Sequence, residues 1–172
     1  MEPTTTTSES LSQRAREIFS AIFYERDLSD PYRYWTDDSV DHFLAAGRSV
    51  RGAQALAQWF RDVFAAMPDW SLSVENVVDD GSHSVVVQWH ATATFDGAPF
   101  LGIEPTGRRL DIRGCDVIVV DDDFKVVTNT VYYDGAEFAR QVGLLPPRDS
   151  AADRAMLGAF NGLTKLRRRL AR

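Results

Sequence analysis

The stretch that decides the fold covers residues 85–120, VVVQWHATATFDGAPFLGIEPTGRRLDIRGCDVIVV. Two segments rich in Val, Ile and Thr flank a loop that contains Gly97, Pro105 and Gly107, residue types that favour turns. Strand side chains point alternately to opposite faces, and the odd positions of 85–95 are all apolar. The stretch therefore predicts a β-hairpin in which the odd residues of the first strand are buried and His90 points outward.

The rest of the chain adds strands and helices around this hairpin. The predicted strands are Ser71–Val78, Ser82–Phe95, Arg109–Val120 and Lys125–Tyr133, with a short apolar segment from Ser39 to Leu44. Apolar residues at helical spacing predict helices at about 11–26, 53–67, 135–142 and 150–172, and 47–52 is predicted to be a turn. Because the strands follow each other after short breaks, antiparallel hairpins are the simplest topology. Helices followed by a curled antiparallel sheet give an α+β fold.

Composition excludes several classes of protein. The chain has 172 residues, which fits one domain, and 19 Lys and Arg against 25 Asp and Glu. The formal charge of −6 argues against a nucleic-acid binder. Cys115 has no partner for an internal disulfide, and no apolar run is long enough for a membrane helix, so a cytoplasmic protein without a membrane partner is expected. Residues 1–9, rich in Thr and Ser, are predicted to be a disordered leader.

Asp116 is the acidic residue with the most apolar neighbours. It shares its strand face with Leu110, Ile112, Ile118 and Val120. Burial removes water from a carboxylate and raises its pKa unless a hydrogen-bond donor compensates, and such carboxylates are common where protons are transferred. The alternative is a structural Asp held by buried backbone or hydroxyl donors. The alternation of faces does not separate these two interpretations.

The last predicted strand offers polar side chains close to Asp116. One of its faces carries Val127, Asn129, Val131 and Tyr133. Asn129 and Tyr133 can donate hydrogen bonds to a ligand oxygen, although both residue types are also common in cores. Asp134 precedes the short helix and is predicted to cap it.

Searches for other chemistry find nothing. The sequence has no phosphate-binding glycine loop and no nucleophile elbow. The three histidines, His42, His83 and His90, lack the spacing of a metal site. The acidic run 121–123 is interpreted as a solvated turn rather than a calcium site. We therefore expect no metal and no cofactor.

The C-terminal helix, 150–172, has an apolar stripe and a basic end. The stripe consists of Ala152, Met156, Phe160, Leu163, Leu166 and Leu170. The basic residues are Lys165, Arg167, Arg168, Arg169 and Arg172, which suit the negative end of a helix dipole. Two interpretations stay open: a packed stripe beside an exposed basic face, or a docking element for a second subunit or an acidic surface.

From about Leu11 to Leu145 the chain resembles the SnoaL-like polyketide cyclases of the nuclear transport factor 2-like superfamily. The resemblance is carried by DDSVDHFLAAGRSVRGAQALAQWFRDVFAAMPDW (37–70), by FLGIEPTGRR (100–109) between two strands, and by KVVTNTVYYDGAEFARQVGLLP (125–146). It implies a cone in which a curved antiparallel sheet wraps around helices and leaves an apolar pocket, usually in a homodimer. Residues 10–147 would form this domain, and 148–172 would be a helical extension.

The resemblance also assigns family positions to residues of this chain. The characterised cyclases use an Asp on the last strand as acid and base for an aldol ring closure, and that position is Val131 here. Their pocket His corresponds to Asp116, a Gln two residues earlier corresponds to Gly114, and their pocket Asn corresponds to Asp41. The resemblance thus implies the same pocket with a different base.

The leading hypothesis is a cofactor-independent enzyme with an apolar pocket that transfers a proton on a small hydrophobic molecule. The substrate would be a polyketide-like or cyclic carbonyl compound that undergoes cyclisation, isomerisation or dehydration. Asp116 would be the catalytic residue. The residues expected to bind the substrate are Asp41, Asn129, Tyr133, Trp35, Trp59, Phe64 and Trp89.

Other functions remain open at this stage. Because Val131 replaces the acid of the family, the protein could be a non-catalytic hydrophobic-ligand-binding protein with the same fold. An epoxide hydrolase-like enzyme is a further alternative, although the Asp-Arg-Asp arrangement of those enzymes is not reproduced. A structural dimer that uses its basic C-terminal helix to contact a partner is the third.

Overall fold

A single six-stranded sheet forms the centre of the computed structural model, which describes residues 10–171. The strands are β1 (Trp35–Phe43), β2 (Arg48–Arg51), β3 (Ser71–Asp79), β4 (Ser84–Phe95), β5 (Arg108–Val120) and β6 (Val126–Tyr133). The helices are α1 (Leu11–Phe19), α2 (Ala53–Ala66), α3 (Gly135–Gln141) and α4 (Ala151–Leu170). The sheet is curved and open, so the predicted α+β fold is confirmed. The predicted leader, 1–9, lies outside the described residues.

The strands are arranged in the order β2-β1-β6-β5-β4-β3. The predicted antiparallel hairpins β3–β4, β4–β5 and β5–β6 are confirmed. The pair β1–β6 is instead parallel, with Asp41 opposite Asn129. These two residues are 88 positions apart in the chain, so no local turn signal could have announced their pairing.

The predicted alternation of faces holds along β4 and β5. The odd residues of β4 from Val85 to Phe95 are all buried, and the side chain of His90 points away from them to pair with Asp111 at 2.8 Å. Asp116 is only 6% exposed. Val127 is the exception: it was expected on the face of Asn129 but is 42% exposed, because the register between β5 and β6 shifts there. A β-bulge reverses the facing of the residues on one side of it.

Three local expectations near the N-terminal half need correction. The expected turn over 47–52 contains the edge strand β2, which pairs with β1. The expected apolar segment Ser39–Leu44 is the second half of β1, which already begins at Trp35. The expected helix 11–26 is an α-helix only to Phe19 and continues as a π-helical turn over Ser20–Tyr24.

Helices α1, α2 and α3 pack on the sheet, and the predicted cap of α3 by Asp134 is present. Ser10 accepts a hydrogen bond from the backbone N–H of Gln13 at the start of α1, and Asp134 does the same for Glu137 at the start of α3. Such caps satisfy backbone donors that a helix start leaves free. Helix α2 buries a row of apolar residues against the sheet: Ala53, Leu56, Ala57, Phe60, Val63, Phe64 and Ala66.

Helix α4 stands apart from this core. Asp153 is its only buried residue, whereas Leu163 is 57% exposed and Phe160 is 65% exposed. The interpretation of a packed stripe is therefore wrong for the single chain. None of the helices in the described part of the chain has the length and apolar character needed to cross a membrane.

The loop between β4 and β5 is attached to the end of α2. The backbone N–H of Gly97 donates to Ala66 O at 3.0 Å, and that of Ala98 donates to Ala65 O at 2.8 Å. A Cβ atom at Gly97 would overlap the carbonyl oxygen of Ala65. Only a residue without a side chain allows this approach, which holds Phe100 in place beside α2.

Replacing Gly97 by Ala is expected to destabilise the protein by about 1–3 kcal/mol, because the new methyl group must push the loop away from α2 and break its two hydrogen bonds. Urea unfolding monitored by circular dichroism measures the change. Gly158→Ala, which adds a methyl group in open space on α4, is the matched control and should not destabilise the protein, because Ala favours a helix more than Gly does. Equal stability of the two variants would contradict this account of the loop.

Candidate functional site

A cavity lies between α2 and the inner face of the sheet, with a volume of about 640 Å³ that includes its open mouth. Its lining is mainly aromatic and aliphatic: Phe23, Phe43, Trp59, Phe60, Val63, Met67, Trp70, Leu72, Trp89, Phe100, Ile112, Asp116, Val131, Tyr133 and Phe138. Asp116 is the only ionisable acid among these described lining residues. The cavity thus combines a large apolar surface with one carboxyl group, a composition typical of small-molecule sites.

Two side chains hold the Asp116 carboxyl group. Trp89 Nε1 donates to Oδ1 at 2.8 Å, and Asn129 Nδ2 donates to Oδ2 at 2.9 Å. Burial raises the pKa of Asp116 to about 6, while the hydrogen bonds from Asn129 and Trp89 act in the opposite direction. The carboxyl group is therefore oriented by two donors and has a pKa close to neutrality.

Gly114 makes the contact between Trp89 and Asp116 possible. Trp89 and Gly114 are directly opposite in the β4–β5 pair, and Asp116 is the next inward residue along β5. A Cβ atom at Gly114 would come within 2.5 Å of the Trp89 ring. The indole therefore lies over the glycine and reaches diagonally to the carboxyl group, a distance that aromatic side chains can span in a sheet.

A second carboxyl group, Asp41, lies behind the first and outside the cavity lining. It is 1% exposed, and its Oδ2 atom accepts from the same Asn129 Nδ2 at 3.3 Å. Its Oδ1 atom and the Asn129 Oδ1 atom are buried without a hydrogen-bond partner. Burial, together with the nearby charge of Asp116, raises the pKa of Asp41 to about 8.

The structure brings together some of the aromatic residues expected to bind a substrate, but not all. Trp59, Trp89 and Tyr133 line the cavity. Trp35 lies one layer behind, stacked on Phe60 at a centroid distance of 5.8 Å. Phe64 also lies behind the lining, where Arg26 covers its ring at 4.9 Å.

Sequence reasoning missed several wall residues. Phe43, Phe60, Phe100 and Phe138 belong to the lining but were not singled out. For Phe60 a signal existed, because it lies on the apolar face of the predicted helix. Phe100 lies in an irregular loop, where no periodicity indicates which way a side chain points.

The mouth of the cavity is built from aromatic rings. Phe43 stacks on Trp59 at 4.4 Å, and Trp59 meets Phe100 edge to face at 5.4 Å. Trp59 and Phe100 also line an outer cleft that contains Arg48 and Asp62.

The acidic run at 121–123 stabilises the turn in which it lies. The Asp121 carboxylate accepts from the backbone N–H groups of Asp123 at 3.0 Å and Lys125 at 2.9 Å. In residues 10–171, no three His, Cys, Asp or Glu side chains come close enough together to hold a metal ion.

Comparisons with known proteins agree with this geometry. AclR from Streptomyces galilaeus is 22% identical with a TM-score of 0.65, and the match covers 92% of this chain and 98% of AclR. TsrD from Streptomyces laurentii is 23% identical with a TM-score of 0.66, covering 78% of this chain and 96% of TsrD. IdmH from Streptomyces antibioticus is 23% identical with a TM-score of 0.60, and the match covers 76% of this chain and 99% of IdmH. At these identities the likeness shows a shared fold.

A search of curated proteins gave no match. The sequence model described as SnoaL-like polyketide cyclase matches residues 13–142, which is most of the chain and contains every cavity residue named above. The chain therefore belongs to the SnoaL-like polyketide cyclase family.

Proposed function

We propose that the protein is a cofactor-independent enzyme that transfers a proton on a polyketide-like or cyclic carbonyl compound, with Asp116 as the base. The reaction would be a cyclisation, an isomerisation or a dehydration. The proposal includes a cytoplasmic location and a homodimer. It extends the family assignment, which supports a small-molecule cyclase-type function.

The observation that carries the proposal is the position of Asp116. It is the one carboxyl group among the described residues of an apolar cavity, and both of its oxygens receive hydrogen bonds. A base must be ionised, within reach of the substrate and fixed in orientation. The two donors fix the orientation of the carboxyl group, and its position in the cavity wall puts it within reach of a bound substrate.

The two carboxyl groups differ in their protonation at neutral pH. Asp116, with a pKa of about 6, is mostly ionised at pH 7. Asp41, with a pKa of about 8, is mostly protonated. Neighbouring acids whose environments separate their pKa values are typical of acid–base sites. We assign Asp41 the role of a neutral partner that keeps Asn129 in position behind the base.

The proposed chemistry begins when the Asp116 carboxylate takes a proton from the carbon next to the substrate carbonyl group. The C–H electron pair moves into the carbonyl group and gives an enolate. Tyr133 lines the cavity and has no hydrogen-bond partner among the described residues, so its hydroxyl can donate to the enolate oxygen. The enolate carbon can then attack a second carbonyl carbon, whose oxygen recovers the proton from Asp116.

The strand register explains how Asp116 could replace the acid of the family. Asp116 on β5 is directly opposite Val131 on β6. Both residues line the cavity. By the alignment above, Val131 occupies the position of the usual acid, so the carboxyl group lies one strand away on the same wall.

Val131 also favours a second candidate, a binding protein that has lost the reaction. An apolar residue at the position of the acid, in an otherwise apolar cavity, is what such a protein would have. It would bind the same class of ligand and release it unchanged. The experiment below separates the two functions.

Exchange of hydrogen for deuterium next to a ketone measures the proposed proton transfer without knowledge of the natural substrate. In D₂O with 1-tetralone, an aromatic cyclic ketone, the wild type should accelerate exchange at C2, monitored by NMR. Asp116→Asn should lower the protein-dependent rate at least about 100-fold, the range for loss of a general base. The wild-type rate should rise as the pH increases through about 6, because only the ionised carboxyl group accepts a proton.

The control is Asp111→Asn, which removes a carboxyl group from the outer face of the same strand. Binding of 1-tetralone to each variant is checked by the rise in melting temperature. Binding without exchange in the wild type would favour the binding protein. Equal exchange by the wild type and Asp116→Asn would show that Asp116 is not the base.

Gly114→Ala tests the positioning of the base by Trp89. The new methyl group would overlap the backbone oxygen of Tyr132 and lie 2.5 Å from the Trp89 ring. It would therefore strain the β5–β6 pair and push the indole away from its hydrogen bond to Asp116. Losing this donor should raise the pKa of Asp116, because the bond favours the ionised form. The rise of the exchange rate should therefore move to higher pH, with a lower rate at pH 6. An unchanged pH profile in a folded variant would show that Trp89 does not act on the base.

Asp41 should make the stability of the fold depend on pH. Its pKa is about 8 in the folded state against 3.8 ordinarily, so between these values the folded chain holds a proton that the unfolded chain has lost. The free energy of unfolding should therefore fall as pH rises, from Asp41 alone by up to about 1.4 kcal/mol per pH unit between pH 6 and 8. Asp41→Asn should remove this slope in urea unfolding, whereas Glu104→Gln, which changes an exposed carboxyl group, should keep it. The same slope in all three proteins would contradict the burial of a proton at Asp41.

A further inference from the structure

Helix α4 exposes an unusually large number of apolar side chains to solvent. Six of them are between 39% and 79% exposed: Met156, Leu157, Phe160, Leu163, Leu166 and Leu170. The helix lies beyond the residues 13–142 that match the family. Contiguous apolar surface on this scale is uncommon on a monomer and indicates a contact with another surface.

The spacing of the stripe is that of a helix pair. Met156, Leu163 and Leu170 are seven residues apart, and so are Ala152, Ala159 and Leu166, which fall between them. A seven-residue apolar repeat with alternating steps of three and four presents a narrow seam to one partner helix.

We propose that α4 pairs in antiparallel orientation with α4 of a second copy of this chain. When two such helices overlap over their full length, Leu170 lies opposite Ala152 of the second copy. In the same register, Ala159 meets Leu163, and Met156 meets Leu166. In two of these three pairs a Leu faces an Ala. Each pair occurs twice, because the two helices are related by a twofold axis, so the same stripe on both copies can pack against itself.

The distribution of charge favours the antiparallel orientation. The four basic residues Lys165 and Arg167–Arg169 lie in the last turns of the helix, whereas residues 148–154 at the other end contain two Asp and two Arg. A parallel pair would place the two basic ends side by side. An antiparallel pair separates them and places each beside an end without net charge, and charge across a helix pair sets its orientation.

The charge of the whole chain also favours a second copy as the partner. Residues 151–170 contain five basic residues and one acidic residue, a formal charge of +4. The rest of the chain carries −10, which together with the helix gives the −6 of the whole. A second copy therefore offers a matching apolar stripe, and the acidic bodies of the two copies offset the repulsion between two helices of the same charge.

The first turn of α4 attaches the helix firmly to the rest of the chain. Arg140 Nη1 lies 3.1 Å from Asp153 Oδ1, both side chains being largely buried, and the Asp149 N–H donates to Asp153 Oδ2 at 3.1 Å. Ser150 caps the helix by accepting from Asp153 N–H. The helix is thus attached to the body at one end while its stripe stays uncovered.

Disulfide formation between two single-cysteine chains tests both the contact and its orientation. All variants carry Cys115→Ser, and one chain has an affinity tag. The tagged Ala159→Cys variant is mixed with the untagged Leu163→Cys variant, and the mixture is oxidised mildly. Non-reducing gels then separate the mixed dimer from the two like dimers by the mass of the tag. The antiparallel register brings these two positions together, so that the mixed dimer should form at least tenfold more than either like dimer.

A matched pair on the opposite face of the helix, Gly158→Cys with Asn161→Cys, should give only background cross-linking. Dominant like dimers of Ala159→Cys would indicate a parallel pair and would overturn the proposal. Background levels for every mixture would show that α4 does not pair and would also overturn it.

Analytical ultracentrifugation of the full chain, with Leu163→Lys beside Asn161→Lys, gives an independent measurement. Leu163→Lys should weaken self-association at least tenfold, and circular dichroism should confirm that it stays folded. If Leu163→Lys leaves association unchanged but abolishes binding to vesicles of phosphatidylglycerol and phosphatidylcholine, a lipid surface is the partner and the proposal fails. Ketone exchange is not expected to change in either variant, so failure here is distinct from failure of the proposed base.

Discussion

The Asn129 amide nitrogen donates to two buried carboxyl groups at once, and the arrangement of the site depends on this shared donor. Its distances to Asp116 and Asp41 are 2.9 and 3.3 Å. Two buried negative charges on either side of one amide would repel each other without water to screen them. Burial and the charge of Asp116 raise the pKa of Asp41 further than burial raises the pKa of Asp116, which has Trp89 as a second donor and faces the cavity. The parallel pairing of β1 with β6 is what places Asp41 beside Asn129.

The second requirement of the site is the missing side chain at Gly114. Trp89 could not lie across β5 if its direct cross-strand partner had a Cβ atom. The indole has two functions there, since its ring forms part of the apolar wall and its N–H holds the carboxylate. This arrangement also explains how the wall can accept an apolar Val131 opposite Asp116. The polar contacts of the Asp116 carboxyl group come from Trp89 on β4 and from Asn129, so none of them depends on a polar residue at position 131.

The parts of the fold that depend on local pattern were predictable, and the parts that depend on distant contacts were not. Alternation in 85–120 was sufficient to predict the buried face that contains Asp116, and the turns were sufficient to predict the hairpins. The bulge that turns Val127 outward has no signature in the sequence. The partners of Asp116 could not be read from the sequence either. Asn129 was expected nearby, but the contacts with Trp89 and with Asp41 depend on register and on the absence of a side chain at Gly114.

The apolar cavity and the exposed apolar stripe lie in different segments of the chain. The cavity, with its single carboxyl group, lies within the residues that match the family, whereas the exposed stripe lies on α4 beyond them. Apart from the first turn, which Asp153 and Arg140 attach to the body, α4 contributes nothing to the core. A change in the stripe therefore leaves the donors of Asp116 in place, and a change at Asp116 leaves the stripe in place. In the proposed scheme, assembly through α4 can vary without altering the environment of Asp116, because the contact that attaches α4 to the body runs through Asp153 and Arg140, and neither of these residues lines the cavity.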